Sequence, residues 1–275
     1  MNTVWIVGGS GGLGFAVAEA FAEKGWFVVS GARSYANEKD TVKAQGGCTM
    51  KLPLDVTSVA DCEAFVRRAL ETSPKVDVIV IAAAILNLGS CEMTSPEEYE
   101  RVMQTNFIGL TRMISLVLPV MRAQHFGKIF LFSSINGLMG IPFQSAYTAS
   151  KHAIEGYAEC LAMETLPYGI QVCLIEPGDH RGGSSHTRLH AQAETTDSPY
   201  YDAYQRACKV IHHDESNGLY PEDLGRKVVR QAERKRIRFR LRIASIDQHF
   251  AVWMHKLLPN RLLASILNRY YHGGK

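Results

Sequence analysis

A tyrosine and a lysine four positions apart, Tyr147 and Lys151, are the residues of this chain whose types and spacing best suggest chemistry. A free phenol has a pKa of about 10 and exchanges its proton poorly at neutral pH. An ammonium group one helical turn away favours the phenolate and lowers that pKa, which makes the tyrosine usable as a general acid and base. Ser134, earlier in the chain, offers a hydroxyl that could hold a carbonyl oxygen. The pattern indicates carbonyl–alcohol chemistry, although the spacing alone also occurs by chance on ordinary helices.

A run of glycines near the N-terminus is typical of a turn that binds a dinucleotide. The segment VGGSGGLG follows an apolar stretch and opens an amphipathic stretch of helical length. Glycines allow a sharp turn and let a pyrophosphate approach the amides at the helix N-terminus, where the helix dipole favours negative charge. The spacing fits either Gly8, Gly12 and Gly14 or Gly9, Gly11 and Gly14. A purely structural glycine cluster is the alternative, and we favour dinucleotide binding.

The end of the second apolar segment bears on the choice between NAD and NADP. Domains that prefer NAD carry an acidic residue there for the ribose hydroxyls, whereas this chain has Ala32 followed by Arg33. A guanidinium can grip a 2′-phosphate through paired hydrogen bonds. We therefore predict NADP(H) as the cofactor, with NAD(H) less favoured. A solvated surface arginine is the alternative.

The elements that must position these residues follow from the hydrophobic pattern. Apolar, β-branched segments alternate with amphipathic segments, which predicts βαβ units and a parallel sheet covered on both faces. The predicted strands are 3–7, 26–31, 48–53, 76–82, 128–133, 170–176 and 236–243. We predict an α/β fold, a Rossmann-type doubly wound parallel sheet, as a single domain with a C-terminal helical extension. The predicted boundaries are 1–245 for the dinucleotide-binding domain, with a substrate loop at 178–215, and 246–275 for the extension.

Composition and charge exclude several classes of protein. Apolar residues make up 46% and charged residues 21% of the chain, which is typical of globular proteins. A formal charge of +3 is too small to indicate nucleic-acid binding by the whole molecule. The six cysteines form no C-x-x-C pair, which favours reduced thiols. No signal peptide is evident, and the longest apolar run, 78–86, is about half of a membrane span. We predict a cytoplasmic protein with no bound metal, no nucleic-acid partner and no transmembrane segment.

Three local features allow both a functional and a structural interpretation. His180, His186 and His190 suggest a metal site, but a mobile polar lid over the substrate is favoured. Nine Lys and Arg residues in 226–242 suggest an anionic partner. Because they alternate along RIRFRLRI, we favour an edge strand whose open side is basic and discourages pairing with other sheets. Two apolar stripes in 246–275 favour packing against the parent domain or a second subunit, with peripheral membrane contact as the alternative.

Taken together, these motifs resemble the short-chain dehydrogenase/reductase family. The resemblance runs from the first strand to about residue 180 and rests on GGSGGLG, LDV, TNFIG, the serine, the Y-x-x-x-K pair and a PG dipeptide. It implies that Tyr147 is the acid/base and that Lys151 lowers its pKa and holds the nicotinamide ribose. It also implies that Ser134 orients the carbonyl and that Asn106 anchors a water relay to the lysine. The cofactor-binding residues it implies are Gly8, Ser10, Gly12, Leu13, Gly14, Arg33, Ser34, Asp55 (beside the adenine), Val56, Ala82, Ala83, Tyr147, Lys151, Pro177 and Gly178.

The chain departs from the family pattern at three places. Val7 stands where a threonine is usual before the glycines, and IAAA at 81–84 replaces the usual Asn-Asn-Ala-Gly. The threonine that customarily follows the PG dipeptide is also missing, and DHRGG stands there. The first two departures belong together, because the family's threonine helps to hold the Asn-containing loop. An apolar pair leaves no buried polar group without a partner.

The sequence therefore predicts an NADP(H)-dependent oxidoreductase that interconverts a carbonyl and a secondary alcohol by hydride transfer. The segment INGLMGIPF beside Ser134, together with Tyr200, Tyr201 and Tyr204, favours an apolar substrate of the steroid, retinoid or acyl type. The family resemblance implies a homodimer or homotetramer. The alternatives are a catalytically silent protein that senses NADP(H) and a dehydratase or epimerase of the short-chain type.

Overall fold

The computed structural model describes residues 1–37, 41–43, 47–182 and 188–272. The strands in this part of the chain are β1 (Thr3–Val7), β2 (Phe27–Ala32), β3 (Thr41–Lys43), β4 (Cys48–Pro53), β5 (Val78–Ile81), β6 (Leu86–Leu88), β7 (Gly127–Phe132), β8 (Ile170–Pro177), β9 (Arg188–His190) and β10 (Arg240–Ile243). The α-helices are α1 (Gly12–Glu23), α2 (Val59–Thr72), α3 (Pro96–Met103), α4 (Gly109–Gln124), α5 (Ser145–Thr165), α6 (Tyr201–Ser216), α7 (Pro221–Ala232), α8 (Ile246–Leu257) and α9 (Asn260–His272).

Eight strands form one sheet in the order β10-β8-β7-β5-β1-β2-β4-β3. Neighbouring strands in it run parallel, except that β3 is antiparallel to β4. Because β1 lies between β2 and β5, the strand order reverses there, and a ligand crevice is expected at the carboxyl ends of these strands. The predicted Rossmann-type doubly wound sheet and single domain are confirmed.

Alternate residues of the central strands contribute to two apolar layers, one on each face of the sheet. Trp5 and Val7 pack in the layer that includes residues of α2, α4 and α5, whereas Val4 and Ile6 pack in the layer that includes residues of α1 and α7. Successive side chains of a strand point to opposite faces, which explains this division. All four of these side chains are fully buried. The two layers fix the strand ends from which the loops of the site emerge.

Three short strands are missed by the sequence pattern. One is β3, at the edge of the main sheet, and the other two, β6 and β9, form a separate two-stranded parallel sheet. Each has only three residues, which is too short to show an alternating pattern. The predicted last strand is also shorter than expected, since only Arg240–Ile243 pairs with β8.

The segment interpreted from sequence as a mobile lid is tied down in its described part after residue 188. Beyond β9, the amide of Ala191 donates to the carbonyl of Leu88 at 2.8 Å, and the amide of Ser90 donates to the buried carboxylate of Glu194 at 2.8 Å. The polar composition predicts mobility, but these polar groups form hydrogen bonds with the β6 segment.

The arginines of β10 do not lie on an open edge, contrary to the interpretation from sequence. Arg240 donates to Glu155, to Glu159 at 2.7 Å and to Glu176 at 2.8 Å, and Arg242 donates to Glu176 at 2.9 Å. Glu176 is fully buried. The strand is at the edge of the sheet, as predicted, but helix α5 and strand β8 supply carboxylates that pair its charges.

Helices α8 and α9 follow β10, with Pro259 between them, and form the helical extension that the sequence predicts. Ser245 and Gln248 form a capping box at the start of α8, which fixes where this helix begins. Helix α9 packs against α6 and α8. In the described part of the chain, no helix has both the length and the apolar character needed to cross a bilayer.

Candidate active site

The turn between β1 and α1 is shaped by close backbone contacts. Gly8 has a φ of +90°, which side chains rarely allow, and a Cβ there would lie 2.5 Å from the amide nitrogen of Ala83. A Cβ on Gly14 would lie 2.1 Å from the carbonyl oxygen of Gly8. Gly11 is the N-cap of α1, and no side chain caps the amides of the first turn. Such a turn suits a phosphate that approaches the backbone directly.

The loop after β5 is held against this turn by main-chain hydrogen bonds. The carbonyl of Val7 accepts from the amides of Ala82 and Ala83, at 2.8 and 2.9 Å. The side chain of Val7 is fully buried. The chain therefore fixes the IAAA loop through its backbone, with a valine in place of the family's threonine.

The end of β2 places Arg33 and Ser34, both exposed, on the wall of the same cavity. The next residue, Tyr35, is buried, and its hydroxyl donates to the carbonyl of Gly9 at 2.9 Å. This bond ties the β2 turn to the glycine turn and holds Arg33 beside it. Sequence reasoning missed Tyr35, because a lone tyrosine after a strand carries no recognisable signal.

The end of β4 contributes Asp55 and Val56 to the cavity wall. One carboxylate oxygen of Asp55 accepts from the amide of Thr57 at 2.9 Å and from its hydroxyl at 2.7 Å. The carbonyl of Val56 accepts from Arg112 of α4. These bonds fix the carboxylate and the loop that carries it.

Asn106 lies behind the cavity wall rather than on it. It is buried in a π-helical turn, Gln104–Ile108, that joins α3 to α4. Its side chain accepts from the amide of Ile85 at 2.8 Å and donates to the carbonyl of Ile85 at 2.9 Å and to the hydroxyl of Ser150 at 3.0 Å. Asn106 thus connects the loop after β5 to helix α5.

Ser134, Tyr147 and Lys151 lie together on the cavity wall. Ser134 follows β7 and caps a short turn, where its hydroxyl accepts from the amide of Asn136 at 3.2 Å. The other two residues are one turn apart in α5, and the Nζ atom of Lys151 is 5.3 Å from the centroid of the Tyr147 ring. The amine of Lys151 donates to the carbonyl of Phe132 at 2.7 Å.

Burial dominates the protonation of this pair. It raises the pKa of Tyr147 to about 12, with Glu215 and Asp179 adding to the rise and a hydrogen bond from Ser134 opposing it. Burial also lowers the pKa of Lys151 to about 7, against the attraction of Glu155. The phenol is therefore protonated at neutral pH. The lowering of this pKa that was expected from the lysine is not found, because burial raises the pKa of the phenol and also disfavours the charged form of Lys151.

The cavity has a volume of about 980 Å³ and joins the glycine turn to α5. Apart from Asn106, the structure brings all the residues predicted for catalysis or cofactor binding to its wall: Gly8, Ser10, Gly12, Leu13, Gly14, Arg33, Ser34, Asp55, Val56, Ala82, Ala83, Ser134, Tyr147, Lys151, Pro177 and Gly178. Pro177 ends β8, and the amide of Gly178 donates to the carbonyl of Ile243 at 2.9 Å.

The other end of the cavity is acidic. Asp179, Asp214 and Glu215 lie on its wall with Tyr271 of α9. Burial raises the pKa of Asp179 to about 7, and the charges of Asp214 and Glu215 add to this rise. The Asp214 carboxylate accepts from Tyr270 at 2.8 Å, and Glu215 pairs with Arg188. Sequence reasoning missed Asp214, Glu215 and Tyr271, since no motif links α6 and α9 to the glycine turn.

The histidines considered as a metal site have other partners. A ring nitrogen of His180 is 2.9 Å from the carbonyl of Gly178, and His190 hydrogen-bonds to the hydroxyl of Tyr204. His186 lies outside the described residues.

The fold and the site agree with what comparison of the sequence finds. Residues 2–192 match the family model of the short chain dehydrogenases. A 3-ketodihydrosphingosine reductase from Bacteroides thetaiotaomicron is 33% identical over 268 residues, which cover 98% of this chain and 97% of that protein. Human retinol dehydrogenase 8 is 35% identical over 182 residues, which cover 64% of this chain and 58% of that protein. The chain therefore belongs to the short-chain dehydrogenase/reductase family of oxidoreductases.

Solved structures share the fold over most of the chain. A short-chain dehydrogenase from Streptomyces avermitilis superposes with a TM-score of 0.80 at 23% identity, covering 98% of this chain and 96% of that one. An alcohol dehydrogenase from Thermococcus sibiricus, complexed with 5-hydroxy-NADP, gives 0.70 at 22% identity, with 90% and 97% covered. A family member from Burkholderia phymatum, in complex with NAD, gives 0.75 at 22% identity, with 92% and 91% covered. Structural neighbours thus include proteins bound to either type of cofactor.

Proposed function

We propose that the protein is an NADP(H)-dependent reductase of a long-chain ketone, with Tyr147 as the proton donor. The observation that carries the proposal is the shared cavity, whose wall includes Ser134, Tyr147 and Lys151 together with the glycine turn. We also propose that residues 1–245 form the catalytic domain and that residues 246–275 extend it, since Tyr271 reaches the cavity wall.

The residues present fit a nicotinamide dinucleotide. Gly8 and Gly14 allow the close backbone packing that shapes the turn, and the first-turn amides of α1 favour a phosphate. The bound cofactor supplies the hydride. Arg33, exposed beside the turn, would hold a 2′-phosphate, and the neighbouring Ala32 brings no carboxylate to repel it. Asp55, on the same cavity wall, would lie beside the adenine.

The protonation state of the site favours reduction. A phenol with a pKa near 12 carries its proton at neutral pH and is ready to donate it to a developing alkoxide. Ser134 holds the carbonyl oxygen next to this phenol. Lys151 would orient the nicotinamide ribose, and its positive charge would stabilise the phenolate that remains once the proton has left. Asn106 holds the loop after β5 against α5, which carries Tyr147 and Lys151.

The wall of the cavity favours a substrate with an apolar chain and a positive charge near the carbonyl. Its apolar part includes Ile85, Ile135 and Ile141, and its acidic part, Asp179 and Glu215, acts electrostatically on Tyr147 itself. The 3-ketodihydrosphingosine named for the Bacteroides relative has this chemistry, with an amine next to the ketone of a long alkyl chain. We therefore propose a long-chain amino ketone, which belongs to the acyl-like class.

NADPH oxidation by the purified protein tests this function. We expect turnover of 3-ketodihydrosphingosine, and a kcat/KM roughly tenfold or more higher than for a ketone of the same chain length without the amine, since a charge-assisted contact is lost. Equal values for the two ketones would contradict the ammonium preference but leave the reductase intact.

The two alternatives give different outcomes in the same assay. Tight NADPH binding without oxidation across a panel of carbonyls would indicate a protein that senses the cofactor. Conversion of a substrate without net change in reduced nicotinamide absorbance would indicate a dehydratase or epimerase.

A further inference from the structure

The C-terminal helices carry an apolar surface on their outer side. Seven of the sixteen large apolar side chains exposed in the described part of the chain lie between Ile246 and Tyr270, which is far more than their share of the sequence. Six of them form what we call the outer apolar row: Ile246 (90% exposed), Phe250 (57%), Trp253 (55%), Leu257 (60%), Leu262 (50%) and Ile266 (46%). A cluster of this size marks an interaction surface.

The inner side of the same helices already anchors them to the protein. Val252 of α8 and Leu263 of α9 are buried, and Leu267 and Tyr271 pack against the cluster around Ile135. The outer apolar row is therefore not needed to hold the helices in place. One of the two helices that carry the row, α9, also contributes Tyr271 to the cavity wall.

Basic side chains accompany the row. Lys256, Arg261 and Arg269 are exposed, and Asp247 is the sole acidic residue of the sequence from 246 to 272. Lys256 follows Trp253 by three positions and Arg269 follows Ile266 by three, so these two basic residues lie beside the row on their helices. Apolar and aromatic side chains flanked by Lys and Arg are typical of helices that lie in the interface of an anionic bilayer.

We propose that the outer apolar row binds the surface of an anionic lipid bilayer, with α8 and α9 lying in the interface without crossing it. A second copy of the chain fits less well, because a symmetric contact through this row would pack two surfaces of the same positive charge, each with Lys256, Arg261 and Arg269, against one another. The proposal does not depend on the substrate, and its test uses binding rather than turnover.

Flotation of the purified full chain with vesicles tests the proposal. We expect the protein to float with vesicles of phosphatidylcholine and phosphatidylglycerol, and to float much less with phosphatidylcholine alone or at high salt, where the charges are screened. Tryptophan emission gives a second readout, because Trp5 and Trp26 are buried and Trp253 is exposed. A blue shift on adding anionic vesicles reports the transfer of Trp253 into lipid.

Matched variants test whether vesicle binding depends on the outer apolar row or on exposed apolar side chains in general. Replacing Phe250 and Leu257 with Gln should lower the vesicle-bound fraction about tenfold or more, whereas Met163→Gln with Leu166→Gln, which are as exposed, should leave it unchanged. Sedimentation of each variant without vesicles monitors assembly. The proposal is wrong if the wild type does not bind anionic vesicles, if both double variants bind as it does, or if the wild type is a dimer that the Phe250/Leu257 variant converts to a monomer.

Discussion

The cavity has two ends that are built by different means. At the turn end, around Gly8, Gly14 and Ala83, the wall is made of backbone and very small side chains, and main-chain hydrogen bonds fix it. At the acidic end, Asp179 and Glu215 come from a loop and from α6, and their side chains carry the contacts. The turn end presents a fixed backbone geometry to any ligand. At the acidic end, substitution of a few side chains would change which ligand charge is preferred.

This difference suggests a division of labour. A phosphate recognised by amides needs a fixed backbone and tolerates little substitution. A substrate recognised by carboxylates needs a negative charge at a given position in the site, and a side chain from any of several loops or helices can supply that charge. Tyr147 and Lys151 lie on α5 and line the same cavity, where we propose that a hydride and a proton reach the same carbonyl.

The largest effect is expected at the point where the two ends meet. Tyr147→Phe removes the proposed proton donor and keeps the ring, so kcat should fall by roughly a factor of 1,000. The dissociation constant for NADPH should change by less than about twofold. Tyr157→Phe is the matched control, since this tyrosine lies in the same helix but packs on Phe107. Wild-type turnover in the Tyr147 variant would remove the phenol from the mechanism.

The turn end should be sensitive to one methyl group. Gly8→Ala introduces a Cβ 2.5 Å from the amide of Ala83 at a φ of +90°, so we expect the free energy of unfolding to fall by roughly 2–5 kcal/mol. NADPH binding should weaken with it. Gly11→Ala is the control, because a Cβ there has no atom within 4 Å and the backbone is extended, and it should cost less than about 1 kcal/mol. Equal melting temperatures for the two variants would contradict the close approach.

The same contrast explains what the sequence could and could not predict. The sheet and the turn end follow from local patterns, such as a strand of fully buried residues followed by glycines, and the strand 3–7 is predicted to the residue. Asp214 and Tyr271 could not be predicted, because they reach the cavity through the packing of α6 and α9, which no spacing in the sequence encodes. The paired arginines of β10 were misread for the same reason, since Glu155 and Glu176 are distant in sequence.

A smaller effect is expected where the turn end selects its nucleotide. Arg33→Ala removes the guanidinium proposed to hold the 2′-phosphate, and the KM for NADPH should rise about tenfold, because an exposed charged contact contributes modestly. The KM for NADH should change by less than about twofold. Arg67→Ala, an exposed arginine of α2, is the control. Equal changes for both cofactors in the Arg33 variant would mean that the phosphate is recognised elsewhere.

The smallest effect tests the charge at the acidic end. Burial and the neighbouring carboxylates raise the pKa of Asp179 to about 7, from an ordinary value of 3.8. The folded protein then binds this proton more tightly than the unfolded chain, so the carboxyl lowers stability as the pH rises from about 4 to about 7, and the loss is complete above that range. Asp179→Asn should therefore raise the melting temperature at pH 8 by at least about 2 °C and leave it unchanged at pH 4.

Asp197→Asn, in an exposed stretch before α6, is the control and should change neither value. If Asp179→Asn has the same effect at both pH values, its cause is packing and not charge.

A cationic ligand provides the decisive comparison between the two ends of the cavity. A long-chain amine should raise the melting temperature of the wild type at pH 8 more than that of the Asp179 variant, because the ammonium relieves a repulsion that only the wild type has. NADPH, bound at the turn end, should raise both by the same amount.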